Sequence, residues 1–182
     1  MNLPNKLTVF RILCIPVFVI FLLADGITYN NYIAVAIFIL ASLTDFLDGK
    51  IARKYNLVTN FGKFMDPLAD KLLVCSALIC LTPDKIPAWI VIIIISRELF
   101  ISGFRTLAAD QGIVLAAGWW GKFKTTFQML MIIVLILNLP YAVFDVIGEI
   151  LIWISLALTI ISMIDYVVKN IAELIEARKF GK

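Results

Sequence analysis

Six apolar runs divide this chain, and each is about as long as a bilayer is thick. They cover roughly Lys6 to Leu23, Tyr32 to Arg53, Gly62 to Leu81, Pro87 to Ala109, Lys122 to Leu139 and Val146 to Val168. A hydrocarbon core of about 30 Å takes about 20 apolar residues in a helix, so runs of this length read as membrane helices. Of the 182 residues, 62% are hydrophobic, and the mean hydropathy is +1.00. Those values argue against a water-soluble fold and leave almost nothing for an extramembrane domain. The expected fold is all-α: a polytopic membrane protein of six transmembrane helices, one domain over residues 1–182, with any chemistry among the helices. No linker, low-complexity tract or repeat divides it.

The ends of the chain fit that reading. The opening NLPNKLT sets Asn and Pro before the first run and reads as a short N-terminal interfacial segment. The first run resembles a signal peptide, but Arg11 interrupts it and no A-x-A site follows, so it reads as a retained helix. The closing KNIAELIEARKFGK mixes Leu and Ile with charges at helical spacing and reads as an extension of the sixth helix.

Charge sets the orientation. Six crossings put both termini on one side, and of the sixteen Lys and Arg residues only Lys85 falls on the other. By the positive-inside rule the termini and the loops after the second and fourth runs face the cytoplasm. The net charge of +3 is spread along the chain with no basic arm, which argues against a nucleic-acid partner. Cys14, Cys75 and Cys80 lie in apolar runs and read as free core thiols. The chain has no histidine, which removes the commonest general base, the commonest zinc ligand and any Ser-His-Asp triad. Carboxylates, Lys, Arg and Tyr remain as candidates for chemistry.

A charge inside a span costs about 2.5–3.5 kcal/mol on insertion scales, so its position carries information. The second run ends in SLTDFLDGKIAR and the third opens with FGKFMDPLADK. Asp45 and Asp48 differ by about 60° around a helix, and Asp66 and Asp70 by about 40°, so each pair shares a face. The polar segment from Lys54 to Phe61 turns the chain back, and the antiparallel helices can aim both pairs at one volume. Four carboxylates there repel one another unless cations intervene. All-oxygen ligands point to magnesium or manganese, with room for two ions. Gly49 and Gly62 remove side chains where a phosphate or nucleotide could approach, Ala52 is small, and Arg53 offers a planar fork for a diphosphate. The alternative is that these aspartates are topology-setting charges, paired with Lys50, Arg53, Lys54, Lys63 and Lys71. Pro67 reads as a structural residue of a first helical turn.

The run Asp45-x2-Asp48-Gly49-x2-Ala52-Arg53-x8-Gly62-x3-Asp66-x3-Asp70 resembles the signature of the CDP-alcohol phosphotransferases, with every motif position filled. The resemblance implies a six-helix homodimer with a two-metal site open to the cytoplasm. It implies that Asp45, Asp48 and Asp66 bind metal and that Asp70 binds metal and acts as base. By the same resemblance Gly49, Ala52 and Arg53 contact the CDP moiety.

Further along, Arg97 lies about 15 Å into the fourth run, near mid-depth. Its neighbour Glu98 is not an obvious partner, because adjacent residues do not face each other on a helix. With Arg105, Lys122 and Lys124 it could hold an anionic acceptor, a phosphate being the economical explanation. Positive-inside anchoring is the alternative, and it fits Lys122 and Lys124 better than Arg97. The segments SRELFISGFRTLAADQG, GWWGKFKTTFQ and PNKLTVFRI resemble the bacterial branch of the family that makes phosphatidylglycerol phosphate. That likeness implies that CDP-diacylglycerol donates a phosphatidyl group to glycerol 3-phosphate within the lipid of the bacterial cytoplasmic membrane. Arg97, Arg105, Lys122 and Lys124 would then bind the acceptor, and Asn5, Thr8 and Arg11 would lie near the donor's diphosphate. Inositol phosphate, serine or phosphatidylglycerol as acceptor is the nearest alternative. A cation transporter is the rival from another class, but no chain of acids links Glu149 or Asp165 to the cluster.

Overall fold

Each apolar run is a helix. In a computed structural model that describes residues 2–24, 26–54, 60–110 and 118–180, six helices follow one another, with no strand among the described residues. They are α1 (Leu3–Leu23), α2 (Asn30–Lys54), α3 (Asn60–Cys80), α4 (Ala88–Asp110), α5 (Trp119–Leu137) and α6 (Ala142–Phe180). The opening segment is continuous with α1: Asn2 is its extended N-cap, and the proline after it sits at the first helical positions, where a missing N–H costs nothing. At the other end α6 runs 39 residues, well past the apolar run, as the charge spacing predicts.

Among the described residues, three stretches are long and apolar enough to cross a membrane: Asn5–Leu23, Trp119–Leu137 and Ala142–Asn170. The other three helices carry Asp45 and Asp48, Asp66 and Asp70, or Arg97 and Glu98.

The chain forms two compact units. One comprises Met1–Lys85 with Ile132–Pro140, and the other Ile86–Met131 with Tyr141–Lys182. In the first, α1 packs against both α2 and α3, which also touch each other. On α2, Ala34, Phe38 and Ala41 are fully buried at helical spacing, and on α3 Ala69, Leu73 and Ala77 do the same. In lipid there is little hydrophobic drive between helices, so small residues that let backbones approach supply the packing. Phe18 of α1 fills the space beside them, its ring centroid 5.8 Å from that of Phe38. Lys85 Nζ donates to Asn138 Oδ1 at 2.5 Å on the exposed side of this unit.

In the second unit α4 packs on α6, with Phe104 set edge-on to Tyr166 at 5.9 Å. The buried hydroxyls of α6 bond back to their own helix, Thr159 to the Ser155 carbonyl at 2.6 Å and Ser162 to the Thr159 carbonyl at 3.0 Å. None of the three cysteines forms a disulfide, and each is half-buried rather than in the deep core.

Ala41 of α2 tests the close packing of the first unit. Ala41→Leu forces extra methylenes into a filled contact, at a cost of about 1–3 kcal/mol. We expect the detergent-solubilised variant to unfold several degrees below the parent in a thermal aggregation assay, and an unchanged midpoint would show that the contact has slack.

Candidate active site

One turn of α1 carries the residues that meet the acidic helices. Thr8 and Arg11 are three residues apart, share a face and are both fully buried. Thr8 Oγ1 donates to Asp66 Oδ1 of α3 at 2.5 Å. Arg11 Nη1 forms an ion pair with Asp45 Oδ1 of α2 at 2.7 Å, and its Nε makes a longer contact of 3.5 Å to Thr44 Oγ1. Two carboxylates from different helices are thus brought to one polar turn of a third. Asn5, one turn earlier on the same face, is also buried.

On α3, Asp66 and Asp70 are each half-buried, and Gly62, one turn before Asp66, is buried. The helix carries all three at spacings of four, so they line one side of it. The side chains of Asp48, Gly49, Ala52 and Arg53 lie outside the described residues, although α2 continues through their positions to Lys54.

Pro67 differs from its first-turn reading. The helix begins at Asn60, so Pro67 lies inside it. A proline there cannot donate to the carbonyl four residues back, which leaves the Lys63 carbonyl without its in-helix donor one turn from Asp66.

The donor set fits a hard divalent ion. Asp45, Asp66 and Asp70 offer carboxylate oxygen, and the chain has no histidine. Among the described residues no three acidic or thiol side chains are grouped as a metal-binding set. The fourth acid of the motif, Asp48, lies outside them.

The second unit holds a cluster of its own. Arg97 Nη1 pairs with Glu98 Oε1 at 2.9 Å, and Lys124 Nζ reaches the same oxygen from α5. Arg97 Nη2 donates to Ser162 Oγ of α6 at 3.0 Å. The sequence reading discounted Glu98 as a partner of Arg97. Both side chains are long enough to bend round to each other despite pointing from adjacent positions, and the packing of α5 and α6 fixes where they meet. The two other basic candidates are exposed against aromatic rings: the Arg105 guanidinium lies 5.4 Å from the centre of Tyr166, and Lys122 Nζ lies 4.7 Å from that of Trp119.

The family model for CDP-alcohol phosphatidyltransferase matches residues 1–161. The chain belongs to that family. It is also similar to proteins named CDP-diacylglycerol–glycerol-3-phosphate 3-phosphatidyltransferase from several bacteria. The Bacillus subtilis (strain 168) protein is 45% identical over 93% of this chain and 95% of its own length. The Haemophilus influenzae protein is 42% identical over 91% of each chain. That of Rickettsia typhi is 41% identical over 91% of this chain and 94% of its own.

The family motif lies wholly on α2, α3 and the segment between them, and the side chains tying Asp45 and Asp66 together come from α1. Thr44 escaped the sequence reading, and Glu98 was discounted by it. Glu98 carried a signal, since an acid next to a mid-depth arginine in an apolar run is costly without a partner. Thr44, a hydroxyl beside an aspartate, carried none.

Loss of the Thr8 hydroxyl isolates its effect on Asp66. A hydrogen bond to a charged group contributes about 1.5–3 kcal/mol, so Thr8→Val should lower kcat/KM about tenfold or more. Membrane insertion, checked by protease protection, should be unaffected; full activity would assign Thr8 to packing alone.

Proposed function

We propose that this family member transfers the phosphatidyl group of CDP-diacylglycerol to sn-glycerol 3-phosphate, giving phosphatidylglycerol phosphate and CMP. The observation that carries the reading is the meeting of Asp45 and Asp66 on the Thr8 to Arg11 turn, within a complete family motif. The choice of acceptor is supported by the names of relatives that match this chain almost end to end.

In the reaction a hydroxyl oxygen of the acceptor attacks the phosphorus attached to diacylglycerol. The bond from that phosphorus to the CMP oxygen breaks, and CMP leaves. Asp70 takes the proton of the attacking hydroxyl. Magnesium or manganese, held as a pair by Asp45, Asp48, Asp66 and Asp70, would supply neutralisation of the diphosphate and of the charge on the leaving oxygen. Thr8 and Arg11 fix the rotamers of Asp66 and Asp45, so those carboxylates are oriented before substrate arrives. Arg53 presents its planar guanidinium to the diphosphate, while Gly49, Ala52 and Gly62 leave it room; Asn5, Thr8 and Arg11 lie on the donor side of the site. Arg97, Arg105, Lys122 and Lys124 serve the acceptor phosphate, Arg by its fork and Lys as a point charge.

The proposed setting is a bacterial cytoplasmic membrane crossed six times, with termini and site facing the cytoplasm and the acyl chains of the donor in lipid. Two copies form the working enzyme. A transporter would need acids along a path to the far face. Outside the cluster, Asp165 pairs with Lys169 at 2.5 Å, and Glu98 pairs with Arg97 and Lys124.

A membrane assay with CDP-diacylglycerol and labelled alcohols tests the reading. Glycerol 3-phosphate should give labelled lipid and CMP, and product from serine alone would overturn the acceptor. Asp66→Asn and Asp70→Asn should each abolish CMP release in protein that still inserts, whereas turnover by either would remove the carboxylates from the chemistry.

A further inference from the structure

Glu98 touches neither of the roles assigned so far, yet it joins two of the proposed acceptor residues. Lys124 is 2% exposed at its side chain, Arg97 12% and Glu98 15%, so all three charges are withdrawn from solvent. One carboxylate oxygen, Glu98 Oε1, accepts from both cations. Arg97 passes the network on to Ser162, which in turn donates to the Thr159 carbonyl. Within one unit, residues of α4, of the first part of α5 and of α6 are joined by this line of polar contacts.

The network leaves hydrogen-bonding capacity unused. Arg97 Nε is buried with no hydrogen-bond partner. Gln128, one turn along α5 on the Lys124 face, is 2% exposed, and neither its Nε2 nor its Oε1 has a partner. An unpartnered guanidinium N–H and an unpartnered amide match what a phosphate monoester with a hydroxylated backbone brings: anionic oxygens, and hydroxyls that both donate and accept.

Resting on the acceptor reading given above, we propose that Glu98 is a positioning residue. It holds Lys124 and Arg97 at fixed points, so that an anionic acceptor meets preorganised cations rather than flexible ones. A lysine stem has four rotatable bonds, and fixing its ammonium in advance removes an ordering cost from binding. Glu98 does not touch the reacting atoms, so its removal falls on acceptor binding and leaves the donor side alone.

A mutant cycle on the membrane-embedded full chain tests this, with initial rates measured while each substrate is varied in turn. Glu98→Gln should raise the KM for glycerol 3-phosphate at least about tenfold, with the KM for CDP-diacylglycerol within about twofold of the parent. Glu98→Asp should recover most of that loss. Lys124→Gln and Arg97→Gln should each raise the acceptor KM, and adding Glu98→Gln to a variant that carries both should bring no further rise, because a residue that acts through those two cations then has nothing left to position. An unchanged acceptor KM in Glu98→Gln, an equal loss on both substrates, or a further rise in the triple variant would overturn the proposal. If Glu98→Gln alone does not accumulate in membranes, the triple variant against Arg97→Gln with Lys124→Gln decides: equal acceptor KM supports it, and a further rise refutes it. Should the parent make no product from glycerol 3-phosphate, the acceptor reading fails and this inference with it. Product formation with an insensitive Glu98 defeats this inference alone.

Discussion

A fully buried guanidinium in an apolar chain has to find its counter-charge inside the protein, and the pairing of Arg11 with Asp45 meets that requirement. Breaking such a pair from one side costs about 3–5 kcal/mol, because the remaining charge is stranded. The cost fixes the placement of α1. The helix can sit against α2 only where Arg11 reaches Asp45, and once it does, Thr8 one turn earlier is level with Asp66 on α3. The N-terminal helix therefore does more than anchor the chain: it sets the relative height of the two acid-bearing helices. Phe18, against Phe38, and the buried alanines of α2 and α3 fill in around that alignment.

A division of labour among the helices follows. Asp45 and Asp66 stand on α2 and α3, and Arg97 with Glu98 on α4, while α1, α5 and α6 include stretches long and apolar enough to cross a membrane. A charged helix in lipid relies on neighbours to pair its charges, and the strongly apolar helices supply those pairs from single polar positions: Arg11 and Thr8 on α1, Lys124 on α5, Ser162 on α6. Polar residues inside membranes are expensive, and here each of the four named lies within reach of a residue from another helix.

The helices were legible in the sequence because bilayer thickness imposes a length that apolar runs display directly. Expected and observed ends agree within a few residues, except where α6 carries on into its charged extension. The facing of Asp45 with Asp48 and of Asp66 with Asp70 was legible too, since helical spacing is local. What brings Asp45 and Asp66 together was not, because Thr8 lies 58 residues from Asp66 and no local pattern marks such a pairing. The family likeness placed Thr8 and Arg11 near the donor, and their grip on the carboxylates adds a reason for those residue types. Arg97 and Glu98 show the limit of periodicity arguments: backbone direction says that neighbours diverge, but long side chains reconverge on a shared partner, in this case Lys124. Pro67 shows a different limit. The reading of a proline depends on where its helix starts, and a start at Asn60 instead of about four residues later moves it from a tolerated first turn to one where a backbone carbonyl is released.

Each of the two polar clusters is tied together by side chains that bridge helices. Arg11 of α1 holds Asp45 of α2 while Thr8, on the same turn, holds Asp66 of α3; Glu98 of α4 accepts from Arg97 and from Lys124 of α5 through one oxygen. A charged group held by a fixed partner keeps its direction, so the cost of ordering it is met on folding instead of on binding. The partners on α1, α4 and α5 therefore matter as much as the motif on α2 and α3: a carboxylate or an ammonium on a rotatable stem is a defined element of a site only when another helix fixes it.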